Sequence, residues 1–200
     1  ARGVPALAEV VEVLTAVLEG AGVEPEAITL LIPAEDAQAA SIPLRAGVQR
    51  LVHDPDDRAQ LAYLASTSGG RRIYLNRLLT DADVVVPVGR LGFDPDLGFG
   101  GPWGVIEPLM SDTPTRRAFR ARASETSPDP DQESAALRES EEVSWLLGSQ
   151  LQVGVLPGVG GPMGVLAGQV AAVYRAGARQ VQHAWTCPPA ETADLVIAGV

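Results

Sequence analysis

From Leu7 to Gly22 the apolar residues Leu7, Val10, Val11, Leu14, Val17 and Leu18 recur three and four positions apart, with Glu9, Glu12 and Glu19 between them. That spacing winds one apolar stripe along an amphipathic helix. Gly20 and Gly22 act as stop signals, and Ile28 to Ile32 follows as an unbroken β-prone run of the kind buried on both faces of a parallel sheet. A helix that hands over directly to such a strand restricts the chain to a layered α/β fold.

The same rhythm continues. Arg50 to Asp54 reads as a short strand, Leu61 to Ala65 as another, and Ser68-Gly69-Gly70 as a turn before a strand at Ile73 to Leu75. Asn76 to Leu79 reads as a helical turn and Val84 to Val88 as a second uninterrupted buried strand. The run from Gly92 to Gly104, dense in Gly, Pro and aromatic residues, reads as a long loop at the place where α/β sheets bind ligands. Between Ser124 and Glu133 no residue can anchor a core, so 124–133 is expected to be a linker. Beyond it come a helix from Ala135 to Leu147, strands at Leu151 to Leu156 and Gly164 to Ala167, a helix from Val170 to Ala178 and a strand from Leu195 to Val200. The expected architecture is an α/β domain over 1–123, with an open, mostly parallel or mixed sheet covered by helices on both faces in a Rossmann-like manner. A second, smaller α/β unit over 134–200 completes it.

The residue inventory limits the chemistry. Of 200 residues 46% are hydrophobic and 20% charged, the balance of a packed chain. The formal net charge of −10 repels a phosphate backbone or an anionic lipid surface, which argues against nucleic acid and membrane partners. All 15 cationic side chains are arginines. Without lysine there is no Schiff base and no lysine general base. Cys187 is the single cysteine, so an internal disulfide is excluded and a reducing, cytoplasmic setting is expected. No stretch approaches the roughly 20 apolar residues of a membrane span, and no signal-peptide pattern opens the chain. The absence of an initiating methionine and the ending on an apolar run, Ala198-Gly199-Val200, are what a fragment of a longer protein would show.

Several patterns invite chemistry. Gly158-Val159-Gly160-Gly161-Pro162-Met163-Gly164 follows a strand but leads into another strand-like run, so a hairpin turn is expected and not a dinucleotide loop. His53 and His183 are the only imidazoles and lie 130 positions apart, which excludes a two-histidine helical metal site. His53 sits among carboxylates in Val52-His53-Asp54-Pro55-Asp56-Asp57; a turn-stabilising His-Asp cluster is the simpler reading and an acid/base role the sharper one. Asp94 and Asp96 in the glycine-rich run offer an acid/base pair or a metal site, or simply initiate turns. Arg116, Arg117, Arg120 and Arg122 fall on one helix after Pro114, where they form an anion clamp or a solvated face.

Taken in order, Val52-His53-Asp54, Leu61 to Leu64 running through Thr67-Ser68-Gly69-Gly70, Ile73-Tyr74-Leu75-Asn76-Arg77 and Ala82 to Val86 resemble the N-terminal domain of the nickel-dependent lactate racemase family. Gly98-Phe99-Gly100-Gly101 with Pro108 is similar to that family's glycine loop. Gly164 to Gly168, Ala171 to Gly177 and Ala193 to Ile197 resemble the start of its C-terminal domain.

That resemblance implies a 2-hydroxy acid racemase or epimerase, an isomerase working by hydride removal to, and return from, a nickel pincer nucleotide tethered as a thioamide to lysine. Two histidines would serve as acid and base, a third would ligate nickel, and an arginine would hold the carboxylate. Carried over by residue, the substrate arginine falls at Arg2, supported by Pro5. The cofactor loop falls at Gly98, Gly100 and Gly101. Ala34 to Gln38 stands where a catalytic histidine is expected and Asp94 where the other is, leaving Asp94 and His53 as the acid/base candidates. An aspartate serves that role if burial raises its pKa. The tether position falls at Trp103 or Gly104, and the nickel ligand within Arg116 to Arg122.

The expectation is therefore a divergent family member with a degenerate active site. It binds a small carboxylate, with no covalent cofactor and no resident metal. Two alternatives stay open: an enzyme of changed reaction type using a noncovalent cofactor or a metal held by Asp94, Asp96 and His53, and a noncatalytic scaffold or regulatory subunit. Assembly into a homo-oligomer also stays open.

Overall fold

The computed structural model describes residues 4–33, 36–94, 98–100, 102–123 and 135–185. The expected linker at 124–133 and the expected strand at Leu195 to Val200 lie outside them, as do Arg2, Gly101 and Cys187.

Helix α1 (Leu7–Gly20) buries Leu7 and Val11 of the predicted stripe, while Val17 of that stripe is 61% exposed and the third buried residue is Thr15, whose hydroxyl donates to the Val11 carbonyl at 2.8 Å. Strand β1 (Thr29–Pro33) follows and pairs in parallel with β2 (Gln49–His53), Thr29 opposite Gln49 and Pro33 opposite His53. Between them lies a short helix α2 (Ala37–Ser41), whose N-cap Asp36 accepts from the Ala39 amide at 2.9 Å. Leu7, Val11, Ile32, Ala39 and Ile42 close this first core, with Val88 packed against it.

Strands β3 (Leu61–Ser66) and β4 (Arg72–Asn76) form an antiparallel hairpin around the predicted Gly-Gly turn, where Gly70 has φ +79°, a conformation open to glycine at no steric cost. Asn76 caps helix α3 (Arg77–Asp81), its Oδ1 accepting from the Leu78 amide at 3.0 Å.

The expected buried strand at Val84 to Val88 is corrected. Val84 is 68% exposed, and the strand β5 spans only Val88–Arg90. Pro87 explains the late start, because it brings no amide to a ladder; its carbonyl instead accepts from the Val153 amide at 2.9 Å. The expected loop at Gly92 to Gly104 also contains ordered structure: β6 (Gly92–Asp94) pairs antiparallel with β7 (Gly98–Gly100), and a 3-10 turn covers Pro102–Val105. Helix α4 (Thr113–Ala123) then carries the arginine cluster.

Helix α5 (Ala135–Leu146) leads into β8 (Leu151–Gly158) and β9 (Gly161–Gln169), a hairpin turned at Gly158 to Gly161 as expected from the glycine run. Strand β8 is central in the sheet β5-β8-β9, parallel to β5 and antiparallel to β9. Thus β5 and β8, from opposite sides of 124–133, share one sheet. Two cores bridge that segment as well: Leu91 packs with Leu156, Val173, Tyr174, Ala178 and Val181, and Ile73, Leu75 and Ile106 pack with Val143. The architecture is an open α/β fold with parallel and mixed sheets.

Helix α6 (Val170–Trp185) runs seven residues past its expected end at Ala178. Gly177 is a close-approach position inside this helix: a Cβ there would lie 2.6 Å and 2.9 Å from the methyl carbons of the fully buried Leu91. We expect Gly177→Val to destabilise the fold by about 2–3 kcal/mol, because overpacking outweighs any helix-propensity gain. Urea denaturation measures this, and an unchanged midpoint would refute the packing assignment.

Candidate functional site

In open α/β sheets ligands gather outside the carboxyl ends of the parallel strands. Here β2 ends in His53, which is fully buried. Asn76 fixes its chemistry. Since Asn76 Oδ1 accepts from the Leu78 amide, Nδ2 is the end that faces His53, and it donates to Nδ1 at 3.1 Å. The ring proton therefore resides on Nε2, which donates to the Ser111 carbonyl at 3.0 Å. Both ring nitrogens are engaged inside the fold, where they tie the end of β2 to the end of β4 and to Ser111, two residues before α4.

That junction continues into α4. Asp112 Oδ1 accepts from the Thr115 amide at 2.9 Å, and the Thr113 amide donates to the Pro55 carbonyl at 3.3 Å. The first turn of α4 is pinned to the loop that follows β2. Within the helix Thr115, Arg116 and Phe119 are buried, whereas Arg117 and Arg120 are exposed. Burial, and next the charge of Arg120 one turn on, lower the pKa of Arg116.

A second polar centre lies at the other end of the β3–β4 hairpin. Arg71 binds Glu107, whose side chain is wholly buried, and Glu139 on α5. Burial alone would lower the Arg71 pKa, but hydrogen bonds and charge from Glu139 and Glu107 raise it. The Ser140 hydroxyl donates to the Glu107 carbonyl at 2.9 Å, and the Ser68 amide donates to Glu142 at 2.7 Å. These contacts fasten α5 to the hairpin. The sequence reading missed them; the signals were an arginine directly after the turn glycines and a lone glutamate in the apolar run Val105-Ile106-Glu107-Pro108.

The other expected site residues are placed in part. Asp94 and Gly98 are paired across the β6–β7 hairpin, with Gly100 opposite Gly92. Gly92 packs beside Pro157 and Val181, on the β8 and α6 side of the fold. His53, by contrast, is held by Asn76 and Ser111. Arg2 and Gly101 lie outside the described residues. A surface cavity of about 450 Å³ is lined by Gly158 to Met163, Ala184 and Trp185, at the β8–β9 turn, and includes none of the expected site residues. Among the described residues no group of three His, Cys, Asp or Glu side chains is placed to hold a metal ion, and no helix is long and apolar enough to cross a membrane.

The fold defines a class before any family is invoked. A lactate racemase apoprotein from Thermoanaerobacterium thermosaccharolyticum has a similar structure, with TM-score 0.59 and 17% identity over 70% of this chain and 34% of that one. A structural-genomics protein from Thermotoga maritima is similar at TM-score 0.58 and 13% identity, over 92% of this chain and 60% of that one. Such identities establish a shared fold, and the chain spans about a third and three fifths of the lengths of these two proteins. No curated protein matches the sequence. The family model for the lactate racemase N-terminal domain matches residues 2–115, and the chain belongs to that family.

The residues present do not fit the tethered nickel pincer of the resemblance. No ε-amino group exists in the 200 residues. Where the tether is expected the sequence reads Trp103-Gly104, and where the nickel ligand is expected it reads arginine. A guanidinium has no lone pair to offer a metal, and its charge repels one.

Proposed function

We propose that this chain binds a small carboxylate of the 2-hydroxy acid class at the carboxyl ends of β1, β2 and β5, without the covalent cofactor, and that racemase chemistry is lost or altered in it. The observation that carries this reading is a lactate racemase N-terminal domain made without a single lysine. Arg2 is the carboxylate ligand in this reading, Asp94 stands at the acid/base position, and Gly98, Gly100 and Gly101 stand at the positions that the family resemblance assigns to its glycine loop. His53 acts as a tie that holds the end of β2. The acidic chain has no nucleic acid partner here, and its lone cysteine suits the cytoplasm.

Two measurements test this. Thermal unfolding with D- or L-lactate is expected to shift upward by mass-action stabilisation of the folded state. Intact mass of protein purified from cells that make the pincer is expected to equal that of the bare polypeptide. A stable added mass with stoichiometric nickel would overturn the cofactor half of the proposal, and lactate racemisation by the purified chain would overturn the catalytic half. Stabilisation by divalent metal or free nicotinate compounds, with none by lactate, would favour an enzyme of changed reaction type.

A further inference from the structure

Helix α4 runs Thr-Pro-Thr-Arg-Arg-Ala-Phe-Arg-Ala-Arg-Ala, four cations and no acid in eleven residues, within a chain whose net charge is −10. A basic helix in an acidic protein is a local reversal of field, and anions are drawn to such a patch. Three features make it more than a solvated face. Arg117 and Arg120 are neighbours at the i, i+3 spacing, both exposed, and neither forms an ion pair among the described residues. Arg116 lies at the i, i+4 spacing from Arg120 and is only 8% exposed, so a third cation belongs to the same stretch of helix. Finally, the helix starts at the Pro55 carbonyl and at the Ser111 carbonyl that receives His53, which places the arginines on the element leaving the carboxyl end of β2.

We propose that Arg117 and Arg120, exposed at the i, i+3 spacing, form an oxyanion-binding site on α4 that takes the carboxylate of a small organic acid. Guanidinium forks bind carboxylate and phosphate by paired, charge-assisted hydrogen bonds. This site deepens the carboxylate reading and rests on it for the choice of organic acid. The arginine that reading takes from the family resemblance is Arg2, and the α4 site is separate from it.

The test compares the intact chain with Arg117→Gln, Arg120→Gln and Arg175→Gln, the last an exposed arginine on α6 that controls for lost net charge. L-lactate and inorganic phosphate are titrated at constant ionic strength, and affinity is read from thermal shift and calorimetry. All three positions are exposed, so the variants should fold. The expected result is two classes of lactate site in the intact chain, one of them weakened at least ten-fold in the two α4 variants and neither changed in Arg175→Gln. Equal lactate affinity in all four proteins overturns the α4 site while leaving the carboxylate reading intact. Phosphate binding lost in the α4 variants, with no lactate response in the unaltered chain, keeps the oxyanion site and overturns the carboxylate reading. No response to either ligand overturns both.

Discussion

Replacement of Arg71 by methionine is expected to lower the unfolding free energy by about 3–5 kcal/mol, the cost of leaving buried carboxylate charge without its partner. Glu107 has no solvent-exposed side-chain surface and Glu139 little, so water cannot take over the role of the guanidinium. Methionine retains most of the alkyl volume, which confines the loss to the charge and its hydrogen bonds. The consequence should be spatially specific. Arg71 sits in the hairpin turn and Glu139 on α5, beside the core of Ile73, Leu75, Ile106 and Val143. Amide exchange should therefore quicken in α5 before it does in β8. Adding Glu107→Gln and Glu139→Gln to Arg71→Met should recover part of the stability, since neutral amides cost less to bury than charges. A loss below about 1 kcal/mol in urea denaturation would mean that the ion triad contributes no more than an exposed pair.

The second large effect is expected at His53. His53→Ala should cost about 3–4 kcal/mol, combining a cavity at a fully buried position with an Asn76 donor and a Ser111 acceptor left without partners. If the ring serves to tie β2 to β4 and to the start of α4, stability falls and ligand affinity falls with it as the first turn of α4 loosens. A fully stable His53→Ala chain that has lost only its lactate response would make His53 a ligand-contacting group instead. The two roles are thus separated by reading stability and binding on the same sample.

Much of the fold was legible in local pattern. The first helix with its buried Leu7 and Val11, the Gly69-Gly70 turn and the glycine hairpin at 158–161 all follow from periodicity and turn chemistry, which depend on neighbours in sequence. The failures have equally physical causes. Val84 to Val86 have strong strand propensity, yet Pro87 delays the strand and leaves Val84 in solvent. The helix expected to end at Ala178 runs on to Trp185, with Gly177 inside it where a Cβ would collide with Leu91. In β2 polarity pointed the wrong way: Leu51 and Val52 are 40% and 48% exposed, while the imidazole beside them is fully buried.

The candidate site was legible as an inventory and not as a geometry. Asp94 and Gly98 were named separately, and only register shows them as cross-strand partners. Arg116, Arg117 and Arg120 were assigned to one helix from their order. Which of them is buried depends on what packs over that helix, a fact absent from the helix's own sequence.

By itself the sequence determined which chemistries are closed to this chain, because a missing functional group cannot be supplied by folding: no amine to carry a tether, one thiol and two imidazoles. It also set the succession of helices and strands, since backbone preference and hydrophobic period act over a few residues. The tertiary structure alone decided that His53 faces Asn76 and Ser111, that Arg71 meets Glu107 and Glu139, and that β5 joins β8 across the expected linker. These are meetings of residues 23 to 68 positions apart, and they are selected by the packing of whole elements, in which a buried polar group is tolerated only where a distant partner satisfies it.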